Sequence, residues 1–167
     1  MNLNVTVTQQ GPLLEGKGPE IVQRHLDRFI TLATALLLAE VKKRTPQGVY
    51  GAQGGLLGSI QPDIRGKGSP VVKGIVATAQ KYGEVIEKGR RPGKGIAKSA
   101  DLSRWIEVKF GVDAKTAKRL EFVVRRKIRQ KGFEGAHMFE RALTENMGRL
   151  QALAEAEGLA VSREMTE

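Results

Sequence analysis

The chain has 167 residues, with 28 Lys or Arg against 18 Asp or Glu, which gives a net charge of +10. It contains no cysteine, and this excludes disulfides, thiolate metal sites and cysteine nucleophiles. Its longest apolar run, FITLATALLLAEV, is shorter than the roughly 20 residues of a membrane-spanning helix. We expect a soluble protein without a membrane partner. The length predicts one domain over residues 1–158, with a frayed tail at 159–167.

The basic charge is concentrated in the middle of the chain. Residues 65–131 carry 19 basic and 6 acidic side chains, a net charge of +13, whereas residues 132–167 carry 3 and 7, a net charge of −4. A basic surface attracts nucleic acid, anionic lipid or an acidic protein. Opposite signs within one chain also suit contacts between copies of it, and both regions are equally consistent with solvated faces.

The first half of the chain carries strand and helix signals. Residues 3–9, LNVTVTQ, alternate apolar and polar positions and predict a strand. From Pro19 to Arg44 apolar residues recur every three or four positions, which predicts a long amphipathic helix that Pro46 ends. Two β-branched stretches, LLGSIQPDI and VVKGIVATA, predict a small antiparallel sheet against which this helix packs. The apolar face of the helix comprises Val22, Leu26, Phe29, Ile30, Ala33, Leu36, Leu37 and Val41.

The second half is predicted to be helical around one glycine-rich segment. KYGEVIEKG predicts a short helix that Gly89 ends, and an extended basic arm follows at about 88–100. Next come a helix capped by Ser99 or Asp101, a helix at about 114–131 capped by Asp113, and a final helix at about 137–157. The residues expected to face inward are Leu102, Trp105, Ile106 and Val108 in the first of these, Ala117, Leu120, Val124 and Ile128 in the second, and Phe139, Leu143, Met147, Leu150 and Leu153 in the third.

These elements together define the predicted fold class. It is α+β, with one long amphipathic helix packed on a small antiparallel sheet, an extended loop or arm, and two or three further helices in the C-terminal half.

The sequence shows no signature of catalysis. His25 and His137 lie far apart on predicted helices, where a lone histidine is usually a surface or packing residue. Glu84 and Glu87 share a helical face and are expected to pair with nearby basic residues rather than act as acid and base. GRRPGKG lacks the spacing of a phosphate-binding loop. We therefore expect a protein that is not an enzyme and has no metal and no cofactor.

Nucleic acid is the partner class that the basic charge leaves open. The predicted helix at 115–131 is strongly basic, and such a helix can follow phosphates. However, no recognised DNA- or RNA-binding module appears, and Phe122, the only aromatic residue in that helix, is expected in the core. Direct reading of bases is not expected, whereas contact with DNA that passes through an assembly remains open.

Four segments occur in a recognisable order: VKKRTP at 41–46, GGLLGSI at 54–60, YGEVIEKGRRP at 82–92 and VVRRKIRQKGFEGAHMFERAL at 123–143. Together they resemble the neck and tail-completion proteins of tailed bacteriophages. Gly83 stands where that family usually has Ala, and Arg90 where it has Thr. The positions that carry the resemblance are Thr45, Pro46, Gly55, Leu56, Ser59, Ile60, Tyr82, Glu87, Gly89, Pro92, Gly132 and Phe139.

The resemblance implies a structural component of the virion, assembled in the host cytoplasm, at the head–tail connection or in tail completion. It implies a homo-oligomeric ring, six-fold or twelve-fold, around the DNA channel, in contact with head-completion and tail proteins. The residues expected at an interface or facing DNA are Arg90, Arg91, Lys94, Lys98, Arg125, Arg126 and Arg129. The alternative is a non-specific nucleic-acid-binding protein.

Overall fold

A computed structural model describes residues 12, 15–48, 55–98 and 100–166. Its helices are α1 (Gly18–Arg44), α2 (Gly55–Ser59), α3 (Gly83–Lys88), α4 (Ala100–Phe110), α5 (Ala114–Lys131), α6 (Met138–Thr144) and α7 (Met147–Thr166). Its strands are β1 (Ile60–Arg65), β2 (Lys73–Thr78), β3 (Gly89–Arg90) and β4 (Phe133–Glu134). The predicted α+β class is confirmed. The strand predicted at 3–9 lies outside the described residues.

The strands form two small sheets. β1 pairs with β2 in an antiparallel sheet, and β3 pairs with β4, also antiparallel. In the second pair Gly89 lies opposite Glu134 and Arg90 opposite Phe133. LLGSIQPDI was predicted to be strand throughout. That is wrong for its first residues, which form α2 and bury Leu56 and Leu57.

Helix α1 packs on the β1–β2 sheet as predicted. Gly74 of β2 lies so close to α1 that an added methyl group would collide with the Thr34 hydroxyl. Leu38 of α1 and Val76 of β2 pack against one cluster of buried residues, which includes Val41 of α1 and Ile60 of β1. Basic residues occupy the last turn of α1, where they suit the negative end of the helix dipole. Val22, expected on the buried face, is exposed.

The chain divides into two compact units, each assembled from separate stretches. The first unit comprises Met1–Leu36, Pro62–Ile75 and Glu145–Glu167, and the second comprises Leu37–Gln61 and Val76–Thr144. The single domain over residues 1–158 stays a prediction.

The core of the second unit is a cluster of five buried residues. The cluster consists of Val41, Leu56, Ile60, Met138 and Ala142. Leu38, Val76, Ile86 and Phe139 pack against it. Burial of a large aliphatic side chain contributes about 1.5–3 kcal/mol, so this cluster is a principal source of stability for the unit.

The predicted final helix is two helices, and the second of them includes residues 159–166 of the predicted tail. The interruption lies between Thr144 and Met147, where Asn146 is buried. It breaks the helical repeat, so Leu143 and Met147 are exposed instead of sharing one buried stripe. Helix α7 continues to Thr166 because Glu164, in its last turns, bonds Arg24 and His25 within the first unit.

No helix among the described residues is both long enough and apolar enough to cross a membrane.

Candidate functional site

The predicted arm begins in a strand rather than in a free loop. Gly89 ends α3 with a φ of 71°, and an added methyl group there would collide with the Phe133 carbonyl oxygen. Gly132 ends α5 with a φ of 68°, and a methyl group there would collide with the Arg90 carbonyl oxygen. Left-handed backbone and close approach both favour glycine. The two glycines therefore allow β3 and β4 to pair.

Arg90 is not the exposed cation that the sequence predicted. The residue is half-buried in β3, and its Nε is buried without a hydrogen-bond partner among the described residues. Its backbone pairs with Phe133 of β4. Arg91, Lys94 and Lys98 are exposed.

The segment that follows lies on helix α5 instead of protruding. The Gly93 amide donates to the Arg129 carbonyl oxygen at 2.7 Å, and Arg125 Nε donates to the Ile96 carbonyl oxygen at 3.0 Å. Between the segment and the helix is an open groove of about 410 Å³. We call it the arginine groove, and it is lined by Gly93, Gly95, Ile96, Phe122, Arg125, Arg126 and Arg129. The groove thus brings together Arg125, Arg126 and Arg129, three of the residues predicted at an interface.

Phe122 lies in this groove and not in the core, so that prediction is wrong. Its exposed fraction is 66%. The buried face of α5 carries Ala117 and, one turn on, Glu121, whose Oε2 accepts from the Ser103 hydroxyl of α4 at 2.6 Å. An acidic residue in a basic helix is usually expected to be solvent-exposed. The sequence signal for the burial of Glu121 was its position four residues after Ala117, which places both on one face of the helix.

The basic side chains of α5 have no acidic partners in the part of the chain that the structure describes. The helix is held instead by its ends and by packing on α4. Asp113 accepts hydrogen bonds from the backbone amides of Lys115 and Thr116, which confirms the predicted cap. Hydrogen bonding to Thr116 is the largest cause that lowers the pKa of Asp113 below its ordinary value.

The residues that carry the family resemblance hold the second unit together. The Glu87 carboxylate accepts from the amides of Phe139 and Glu140, both at 3.1 Å, at the start of α6. Thr45 Oγ1 donates to the Val41 carbonyl oxygen at 2.7 Å. Ser59 and Thr78 hydroxyls lie 2.6 Å apart. The motif therefore supplies caps and contacts within the fold.

The other motif positions divide into core and surface. Leu56 and Ile60 are buried, and Phe139 packs against their cluster. Pro46, Tyr82 and Pro92 are exposed, and Gly55 is half-buried.

Glu84 and Glu87 were both expected to pair with nearby basic side chains, and only Glu84 does so. Glu84 Oε1 lies 2.9 Å from Lys88 Nζ, and this hydrogen bond is the main cause that lowers the pKa of Glu84. Glu87 caps α6 instead of pairing with a basic side chain.

A second polar cluster lies in the first unit, around His25. His25 Nδ1 lies 2.6 Å from Glu157 Oε2, and Nε2 lies 3.3 Å from Glu164 Oε2. Arg28 Nε lies 3.2 Å from Glu157 Oε1, and Arg24 pairs with Glu164. Sequence reasoning missed this cluster because its basic and acidic members are more than 120 residues apart in the chain. We call it the His25 cluster.

In the His25 cluster two arginines form ion pairs with the carboxylates, and the His25 ring nitrogens lie within hydrogen-bond distance of both carboxylates. Among the described residues, no three His, Cys, Asp or Glu side chains are grouped so that they could hold a metal ion. Desolvation raises the pKa of Glu164, and hydrogen bonds from Arg24 and His25 outweigh it, so the net shift is downward.

Comparison with known proteins gives no relative: no family model, no curated protein and no solved structure matches this chain.

Proposed function

We propose that this chain is a structural component of a tailed-bacteriophage virion, at the head–tail connection or in tail completion. It acts as a subunit of a ring around the DNA channel and performs no catalysis. Its partners are copies of itself and the neighbouring head-completion and tail proteins.

The observation that carries the proposal is the placement of the four motif segments. All four contribute to the second unit: Thr45, Ile60 and Phe139 to its core or core edge, and Glu87 and Gly132 to its connections. Residues separated by up to about 100 positions thus serve one compact framework. A motif with this purpose is compatible with a structural subunit, whose fold serves to present surfaces to its neighbours.

Exposed apolar side chains in the second unit give further support. Val108 of α4 is more than half exposed, so its predicted inward position is wrong, and Phe110 of α4 and Val123 of α5 are also more than half exposed. A contiguous patch of large apolar side chains on a surface marks a site of association, and burial of such a patch supplies much of the affinity between subunits. A subunit that works only when assembled is expected to carry such residues.

Electron microscopy of the purified chain and of tailed particles from the producing culture tests the proposal. We expect closed six-fold or twelve-fold rings, formed alone or with the adjacent head and tail proteins, and the chain among the proteins of the particle. A chain that stays monomeric under all these conditions and is absent from particles would overturn it.

Arg91→Glu sharpens the test. Arg91 is exposed, so this change is expected to alter stability by no more than about 0.5 kcal/mol while it impairs the joining of heads to tails. Arg90→Glu is unsuitable because Arg90 Nε is buried, and damage to the fold would explain any loss. Wild-type particle yield with Arg91→Glu would show that this part of the arm is no interface.

A further inference from the structure

We propose that the arginine groove binds a single strand of nucleic acid, with phosphates on Arg126 and Arg129 and a base stacked on Phe122. This goes beyond the proposed function and does not depend on it, because it concerns the isolated chain.

The first support is charge that the fold leaves unused. Arg126 and Arg129 are exposed and form no ion pair in the described part of the chain. Arg125 is held in place through its bond to the Ile96 carbonyl oxygen. Guanidinium groups with free donors are well suited to phosphate oxygens, which they bind through paired hydrogen bonds.

The second support is the position of Phe122. It lies three, four and seven residues before the three arginines of the groove, so all four share one face of α5. The ring is two-thirds exposed. An aromatic ring within a cationic groove is the arrangement by which proteins bind single strands, since every base can stack on it.

The third support is the shape of the basic face. Lys115, Lys118 and Arg119 continue the face of Phe122 toward the start of the helix. From Lys115 to Arg129 the helix rises about 21 Å at 1.5 Å per residue, which is long enough for several nucleotides. The opposite wall of the groove includes Gly93 and Gly95, whose lack of side chains leaves the backbone accessible to a strand.

A single strand fits these features better than a duplex or an acidic protein segment. Bases in a duplex are stacked on one another, so a duplex would use the arginines and leave Phe122 unused. An acidic segment of ordinary composition would likewise satisfy the charges and leave the ring without a stacking partner.

Fluorescence anisotropy on the full chain tests the proposal with three probes: a labelled oligothymidine, a duplex of the same length and a polyglutamate peptide. We expect the oligothymidine to bind tightest. Phe122→Ala should weaken its binding at least about fivefold, as loss of one stacked base does, and leave duplex binding unchanged. Phe110→Ala, which removes an exposed phenylalanine outside the groove, is the matched control and should have no effect.

The phosphate contacts are tested by salt dependence. Arg126→Ala with Arg129→Ala should reduce the slope of log K against log salt by about 1.4, as expected for two phosphate contacts on a single strand. Lys127→Ala with Lys131→Ala removes the same charge from residues that do not line the groove, and should change the slope less.

Three results would overturn the proposal. They are no binding of the oligothymidine, equal affinity of the Phe122→Ala variant for it, and binding of the duplex or the polyglutamate peptide as tightly as the single strand. The last of these would assign the groove to duplex DNA or to an acidic protein, respectively.

Discussion

The His25 cluster and the basic face of α5 differ in whether their charged side chains have partners within the fold. Around His25 each carboxylate meets a basic side chain: Glu157 contacts His25 and Arg28, and Glu164 contacts Arg24 and His25. On α5 the bases have no acidic partner among the described residues, and the single acid of that helix, Glu121, is buried. The first region uses its charges for folding, and the second keeps them available.

The difference shows that the net charge of a sequence segment does not give the number of charged side chains that are available to a partner. Residues 132–167 have a net charge of −4, which suggested an acidic face for a basic neighbour. Two of those acids are already committed within the first unit. Fewer acidic side chains are therefore available for a contact between copies than the sequence implied. Burial of apolar surface has to supply more of the affinity of such a contact.

The largest expected effect comes from the backbone that holds α5. Gly132→Ala forces a side chain into left-handed backbone and against the Arg90 carbonyl oxygen, so we expect a loss of at least about 2 kcal/mol in the free energy of unfolding. Gly148→Ala is the control, because it lies in α7 with open space around it and should raise stability by about 0.5–1 kcal/mol. Urea unfolding measures both, and equal effects would contradict the role given to Gly132.

The next effect concerns the paired region. His25→Ala leaves Glu157, whose side chain is only 12% exposed, without its 2.6 Å partner. We expect a loss of about 2 kcal/mol, the usual cost of removing a hydrogen bond to a buried charge. Arg28→Ala removes a mostly exposed partner of the same carboxylate and should cost no more than about 1 kcal/mol. If both variants unfold at the same urea concentration, the cluster is not held by His25.

A smaller effect is the pH dependence that Glu164 confers. Its pKa in the folded chain is below the ordinary 4.5, so the stability it contributes is present above that pH and is lost as the pH falls through the folded pKa. We expect Glu164→Gln to unfold more easily than the parent chain at pH 7 and to differ from it less at pH 3. Glu155→Gln, which removes an acid bonded to neutral Gln151, is the control. A difference that does not shrink in acid would exclude this linkage.

The smallest effect is expected on the basic face. Lys127→Ala removes an exposed charge without an ion pair and should change stability by less than about 0.5 kcal/mol. Thermal unfolding in low salt checks this. A loss above 1 kcal/mol would mean that α5 depends on a contact of Lys127 and would remove the contrast with the His25 cluster.

Local signals predicted much of the fold. The bounds of α1, the cap at Asp113 and the helix end at Gly89 follow from residues within one turn of the feature. What failed depended on distant contacts. The arm lies on α5 through bonds that join residues 29 and more positions apart, and His25 meets an acid 132 positions away. Phe122 is an exception, because the inward positions predicted for α5 already left it on the outer side of the helix.

The pairing of β3 with β4 has a consequence for how this chain can vary. Within the second unit, everything from Arg91 to Gly132, including α4, α5 and the arginine groove, begins and ends at neighbouring points of one two-residue ladder. Such an excursion behaves as a cassette, because the entropy of closing it grows only slowly with its length. A chain of this kind can lengthen, shorten or exchange the cassette while the cluster around Ile60 and the cap from Glu87 stay unchanged. The surface it offers can then diverge faster than the framework that supports it.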